Sequence, residues 1–532
     1  MSTILAMRFD WKDWGVLALY FVLLAVTGYV FGRRKQHDVR DYFLGGRSMP
    51  AWAVAISVLA TSLSAATFIG GPQQAYDGDL TYLSANIGAV LASLLIALYF
   101  IPRYYRHDVA TVYELMEIRF GPLARRATSI AFMIGRVLAS GARLYMAALA
   151  AALIFVSGRV EPQHIIAGVV VLAVIGVIYT LAGGIRSVIW TDVVQTIVFV
   201  FAALVSLLIL FNRLSDAGDI ATTLDSKLTV FRLGLDFDEP GLGFSLSDRY
   251  TLITALIGFT IFNLAAYGTD QDLAQRMLTC RSAARGSASM ISAILMGLPV
   301  TALFMGVGLL LYLFYRLPGM EAPERSEQVF LQFILNEMPH GVGGLMMAGL
   351  FAAALSSFNS ALNAMASSFV NDVYRPMRSR QSERHYLVVG RIAVVGCGVL
   401  LCYTAIICII LQTYRKQTLI DFALSIMIFA YSGLLAAFLT ALFTRRGSEM
   451  SITIGLIVGF IAAFLCDPLI WATWLSGFGD ATAWLAEAEI SFPWRMVFAT
   501  LIAFVVCCLG RSPAAVEGPG SPGKAETGDQ GA

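Results

Sequence analysis

Thirteen apolar stretches recur along the chain, separated by polar loops, and each is long enough for a bilayer core, which takes about 17–25 residues. They run Trp14–Phe31, Ala51–Tyr76, Tyr82–Ile101, Ala127–Val156, Ile165–Leu181, Val188–Phe211, Tyr250–Ala266, Met290–Tyr312, Gly344–Phe369, Val388–Leu411, Phe422–Phe443, Ile452–Ile470 and Pro493–Gly510. Hydrocarbon offers no water to a free backbone amide or carbonyl, so each stretch is predicted to be helical. The pattern predicts an all-α membrane protein of about thirteen transmembrane helices, with no soluble domain. Between Asn212 and Arg249 a longer outer loop has room for a short helix or lid. The run from Ser512 to Ala532, rich in Gly, Pro, Ala and charge, reads as a disordered tail.

Composition agrees with the pattern. Of 532 residues, 58% are hydrophobic and 14% charged, with mean hydropathy +0.73, whereas soluble domains run near a quarter charged. No basic patch interleaved with aromatics points to nucleic acid. Cys397, Cys402, Cys408, Cys466, Cys507 and Cys508 lie in apolar runs and Cys280 in a polar loop, without CxxC or Cys/His spacing. They read as inert thiols rather than metal ligands or disulfides. No basic n-region or small-residue cleavage site precedes Trp14, so no cleaved signal peptide is expected.

The net charge of +2 says little, but its distribution orients the chain. Thirteen spans put the termini on opposite faces. With the N-terminus outside, 20 Lys and Arg side chains fall in inner loops, among them Arg33, Arg34, Lys35, Arg103, Arg106, Arg125, Arg126, Arg378 and Arg380. Twelve fall in the outer segments, over longer loops. The positive-inside rule then predicts an outer N-terminus and a cytoplasmic C-terminus, in a multi-pass protein of the cell (inner) membrane.

Candidate chemistry sits where polar residues interrupt the spans. The second span reads Ala60-Thr61-Ser62-Leu63-Ser64-Ala65-Ala66-Thr67-Phe68-Ile69-Gly70-Gly71-Pro72. A helix unwound there, with a Gly-Gly-Pro break, would free carbonyls for a cation and expose half-helix ends near the midplane. The plainer reading is close helix packing, with hydroxyls bonded back to their own helix. In the ninth span Ala353, Ser356, Ser357 and Ser360 form one helical stripe flanked by Asn359 and Asn363. Sodium is a hard cation that takes several oxygens; these hydroxyls and the freed carbonyls would supply them. Asp192 lies near the inner end of the sixth span, where an aspartate costs about 2.5–3.5 kcal/mol and so faces a partner or a wet cavity, unless it caps the helix. Arg136 and Arg143 in the fourth span could meet an anionic solute. Arg136 is also within snorkelling reach of the inner interface, and Arg143 is deeper.

Four motifs are similar to those of the sodium/solute symporter family: Asp41-Tyr42-Phe43-Leu44-Gly45-Gly46-Arg47, Trp190-Thr191-Asp192-Val193-Val194-Gln195, Gln271 with Gln275-Arg276, and Ala352-Ala353-Ala354-Leu355-Ser356-Ser357. They stand in the family's order at the expected spans. The resemblance implies a five-plus-five inverted-repeat (LeuT-type) core. It also implies a shared sodium site made by the carbonyls of Ala60, Leu63 and Ala353 and the hydroxyls of Ser356 and Ser357. Within the family the chain looks most like the bacterial sialic acid symporters. That likeness implies solute contacts from Ser62, Ser64 and Thr67, and from Asn86 where that group carries glutamine. Asn263 in the seventh span adds a polar group facing the site. A second sodium site would comprise Asp192, Ser356, Asn359 and Ser360, with Asn359 standing where the group has serine. The group's carboxylate-binding arginine aligns with Ala139, leaving Arg136 and Arg143 about one turn to either side as candidate substrate-binding residues. The inner-gate tyrosine of the sugar symporters falls on Ala266, beside Tyr267.

The expected function is sodium-coupled import of a small polar, potentially anionic solute across the lipid bilayer by alternating access. Sodium is the coupling ion, and no protein partner is implied. Two rivals stand: a proton-coupled symporter using Asp192, and a membrane sensor that binds solute without moving it. No charged ring or filter repeat marks a channel, and no nucleophile, base and orienting group gather as in an enzyme. The domain plan is 1–48 for the outer segment, extra first helix and inner loop; 49–212 for the first repeat; 213–249 for the outer loop; 250–446 for the second repeat; 447–511 for two peripheral helices; and 512–532 for the tail.

Overall fold

The computed structural model describes residues 10–32, 39–155, 160–214, 224–235, 245–414, 418–467 and 490–511. The expected tail, the Arg33–Lys35 run and much of the 213–249 loop lie outside the described residues. In chain order the apolar helices are α1 (Trp11–Phe31), α2 (Ala51–Ser62), α3 (Ala65–Asp77), α4 (Thr81–Arg106), α5 (Pro122–Ala152), α6 (Pro162–Ile178), α7 (Gly184–Leu214), α8 (Leu252–Gly268), α9 (Gln271–Leu278), α10 (Ala283–Phe314), α11 (Val342–Met377), α12 (Glu383–Leu411), α13 (Leu419–Phe443), α14 (Glu449–Leu465) and α15 (Phe492–Cys508). Eight are long and apolar enough to cross a membrane singly, and the bent pairs α2/α3, at 63°, and α8/α9, at 59°, bring the number to ten. The other three expected spans coincide with α6, α14 and α15, apolar helices of 10–17 residues. Among the described residues the only β pairing is an isolated bridge from Arg446 to Arg511.

Burial separates the helices by role. The apolar window of α11 is 94% buried, against 28% for α1 and 33% for α12. A helix apolar all round and buried all round is a core helix; α11 therefore forms the centre. On α1 and α12 large apolar side chains such as Leu19, Val26, Ile392, Val399 and Tyr403 point outward. An apolar surface of that extent belongs against hydrocarbon.

Local chemistry explains the interruptions. Between α6 and α7, Gly184 adopts φ 59°, a conformation that glycine alone reaches without a Cβ clash. The Gly-Gly-Pro triplet of the second span behaves otherwise than the sequence suggested. Gly70, Gly71 and Pro72 all lie inside α3, and the break sits earlier, at Leu63 and Ser64. The glycines serve packing instead. A Cβ on Gly70 would come within 2.9 Å of Ile420 in α13, and one on Gly308 of α10 within 2.2 Å of the Pro72 carbonyl oxygen. Three helices thus approach backbone to backbone at this point.

Loops assigned to one face meet one another. At one end Arg103 donates to the Leu442 carbonyl at 3.4 Å, Arg119 to Thr444 at 3.1 Å and Arg125 to Asp372 at 2.8 Å. At the other, Lys227 of the 213–249 loop donates to the carbonyls of Tyr76 at 2.8 Å and Gly78 at 2.6 Å, closing the C-terminus of α3. Arg249 pairs with Asp421 at 2.5 Å at the same end.

Candidate functional site

The site begins where α2 stops. Leu63 takes an extended conformation, with φ −78° and ψ 142°, and α3 restarts two residues later. In an unbroken helix the Ser64 amide would close on the Ala60 carbonyl. Here it donates to the Thr67 hydroxyl at 3.4 Å, while the Ser64 hydroxyl accepts from the Ala66 amide at 3.2 Å. These bonds form a capping box for α3. The break leaves the Ala60 carbonyl without its helical donor.

Helix α11 crosses beside this break. The Ser357 hydroxyl donates to the Leu63 carbonyl at 3.0 Å, joining two residues expected to share a cation. Ser356, one residue back, donates to Asp192 Oδ1 at 2.6 Å. Asp192 is interior to α7 and does not cap it. Its Oδ2 accepts from the Ser57 hydroxyl at 2.5 Å and from Arg276 Nη2 at 3.3 Å. Arg276, on α9, also donates to the Ser360 hydroxyl and, at 2.7 Å, to Asp272 Oδ1. Two residues expected to hold a second cation, Asp192 and Ser360, are therefore gripping a guanidinium. Asn359 is not seen to join them: among the described residues its Oδ1 has no hydrogen-bond partner, and it lies beside Gly176 of α6.

A cavity of about 150 Å³ opens on the other side of the break. Ser62, Thr67, Asn86, Asn263, Arg136 and Arg143 all line it, together with Thr61, Tyr82, Tyr267, Thr301, Met427 and Tyr431. Ser64, expected as a solute contact, is not among the lining residues; its hydroxyl accepts the Ala66 amide bond of the cap. Arg136 is corrected in part. It neither snorkels nor stands free, since its guanidinium is paired with Asp270 at 3.0 Å and with Asp272. Arg143 is different. Its Nη2 meets the Met427 sulfur at 3.6 Å, and among the described residues it forms no salt bridge. A cation facing a small polar cavity without a carboxylate is an anion receptor in waiting.

The sequence pattern of the sodium:solute symporter family matches residues 42–459. This chain belongs to that family. The symporter is 30% identical over 466 residues to a sodium/sialic acid symporter of Aliivibrio fischeri, covering 86% of this chain and 88% of that one. It is 28% identical over 458 residues to another from Proteus mirabilis, covering 85% and 89%. The substrate-bound, outward-open structure of a Na⁺-coupled sialic acid symporter superposes on it with a TM-score of 0.78 at 25% identity, covering 94% of this chain and 98% of that one. The chain is accordingly a sodium-coupled secondary transporter of the LeuT-type fold, and not an enzyme.

Several functional side chains escaped the sequence reading. Ser57, Asp270, Asp272 and Tyr431 belong to the buried polar network, and Arg276 was seen only as part of a motif. Their partners lie far away in sequence: Ser57 and Asp192 are 135 positions apart, and Tyr431 reaches Asp270 across 161. The available signal was an excess of charge near the spans, including three charged residues within Asp270–Arg276. All seven cysteines are free thiols, and burial pushes the Cys280 thiol up to about 11.

Proposed function

We propose that the symporter imports a small carboxylate-bearing solute together with sodium, the carboxylate resting on Arg143. The observation that carries this reading is the Arg143 guanidinium, which faces a hydroxyl- and amide-lined cavity with no salt bridge among the described residues. Ser62 and Thr67 from the broken span, Asn86 and Asn263 from its neighbours, and the Tyr267 hydroxyl suit a polyhydroxylated body. The sialic acid specificity of its relatives supports a sugar acid, although Arg143 stands one turn from the position where that group carries its own arginine. Sodium is assigned to the carbonyls of Ala60, Leu63 and Ala353 and the hydroxyls of Ser356 and Ser357. The contact between Ser357 and Leu63 supports this, because it already brings two of those five oxygens together.

The paired breaks in α2/α3 and α8/α9 support dividing the core into repeats at 49–212 and 250–446, each opening on a bent span. The charge of the inner loops supports placement in the cell (inner) membrane with the N-terminus outside. A thermal-shift screen of the purified protein against sialic acids, monocarboxylates and neutral sugars, in sodium or potassium, tests the reading. A ligand that binds the folded state raises its stability by RT ln(1 + L/Kd), where L is the free ligand concentration. Stabilisation by a sugar acid in sodium only, and its loss in Arg143→Ala, is the expected result. Stabilisation by neutral sugars alone would contradict it.

A further inference from the structure

Five charged side chains form a continuous buried chain from the serines of α11 to the wall of the cavity. Asp192, which holds Ser356, pairs with Arg276 at 3.3 Å, and Arg276 with Asp272 at 2.7 Å. Asp272 pairs with Arg136, and Arg136 with Asp270 at 3.0 Å. Asp270 finally accepts from the Tyr431 hydroxyl on the cavity wall. None of the five is more than 2% exposed.

Three carboxylates against two guanidiniums leave this chain with one uncompensated negative charge. Arg143 supplies the missing positive charge from across the cavity, within electrostatic reach of Arg136, Asp270 and Tyr431. Arg136 and Arg143 are the charged side chains lining the cavity, and Arg136 is already counted. The empty interior is therefore neutral as a whole but divided. A carboxylate closes each end of the chain, Asp192 beside Ser356 and Asp270 beside Tyr431, and the balancing positive charge stands at Arg143.

A net charge held away from water is costly unless it is paired. Sodium bound alone at Ser356 and Ser357 would leave the interior with one net positive charge. A monoanion bound alone at Arg143 would leave one net negative charge. Bound together they restore neutrality. We propose that this buried charge balance is what couples the two: one sodium ion and one monoanionic solute enter as a pair because only the pair leaves the interior uncharged. Arg276 completes the account as a tethered cation, since its guanidinium occupies Asp192 and Ser360, where a second sodium would otherwise bind. The stoichiometry that follows is one sodium per monoanion. The mechanism rests on the anionic-solute reading above, but its sharpest consequence concerns sodium alone.

Arg143 lies outside the sodium site, yet removing its charge should strengthen sodium binding. The test is a sodium titration of the purified full-length protein without solute, with potassium replacing sodium to hold ionic strength, read by tryptophan fluorescence and thermal shift. Arg143→Gln leaves a net negative interior that sodium alone neutralises, and is expected to bind sodium more tightly, by on the order of tenfold, because a repelling unit charge is removed from the same low-dielectric interior. Arg143→Lys keeps the charge and changes the shape, and is expected to stay within about twofold of the unsubstituted protein. Unchanged or weaker sodium binding in Arg143→Gln overturns the mechanism, and so does equal tightening in both variants. Should Arg143→Gln fail to fold, Asn263→Asp adds a negative charge to the same cavity and is expected to tighten sodium binding likewise; its failure to do so is equally decisive. Because no solute is present, tightening in Arg143→Gln would uphold the charge balance even if no carboxylate proved to be transported.

Discussion

A single hydroxyl decides much of the sodium site. Ser357 bridges α11 to the carbonyl of Leu63, one of the two residues that leave helical geometry at the break. A hydrogen bond or ligand contact to a charged partner is worth about 1.5–3 kcal/mol. Ser357→Ala should therefore weaken sodium binding by roughly tenfold to a hundredfold, measured by the same solute-free titration. Unaltered sodium affinity would remove Ser357 from the site. The stripe carrying Ser356, Ser357 and Ser360 was legible in the sequence because helical spacing alone puts those residues on one face. The partner of Ser360 was not. Nothing in the spacing of Arg276 tells that its guanidinium crosses from α9 to α11, 84 positions later. Ser64 shows a related limit: a hydroxyl in a polar run looks like a ligand, and only the exact residue at which the helix stops shows that it caps.

Among the elements, the broken span shows how composition and placement divide the information. The sequence announced an interruption in the second span through its hydroxyls, glycines and proline, yet Gly-Gly-Pro proved to be a packing surface and Leu63–Ser64 the break. Which small residues bend a helix and which admit a neighbour depends on the neighbour, and α10 and α13 are distant in sequence. Gly308 gives this a measurable form. An added Cβ there meets the Pro72 carbonyl oxygen at 2.2 Å, so Gly308→Ala must force α3 from α10. Overpacking of this kind costs about 1–3 kcal/mol. Gly396 in α12 has nothing within 4 Å of the same added atom, so Gly396→Ala should be neutral or gain about 0.5–1 kcal/mol from helix propensity. A thermal melt in detergent separates the two, with a lower midpoint expected for Gly308→Ala only. Equal midpoints would show that α3 and α10 are not in contact as described.

Across the whole molecule, hydropathy found the spans because lipid penalises any unpaired backbone group. The loops cluster at two ends, Arg103 and Arg119 meeting Leu442 and Thr444 at one, and Lys227 and Arg249 meeting Tyr76 and Asp421 at the other. Hydropathy could not say that α11 is the axis of the fold while α1 and α12 lie outside, because lipid and protein interior are both apolar. The solute was less legible still, resting on one arginine displaced by a turn from its relatives' position. The central claim is that a sodium gradient drives accumulation of a carboxylate solute. Its most direct test is uptake of radiolabelled N-acetylneuraminate by proteoliposomes under an inward sodium gradient with the interior negative. A gradient of tenfold is worth about 1.4 kcal/mol and a potential of 100 mV about 2.3 kcal/mol, so one sodium ion moving with a neutralising monoanion supplies the chemical part alone, about tenfold accumulation. Sodium-dependent accumulation that is insensitive to the potential and abolished by Arg143→Ala is the expected result. Uptake that follows a proton gradient and ignores sodium would contradict it.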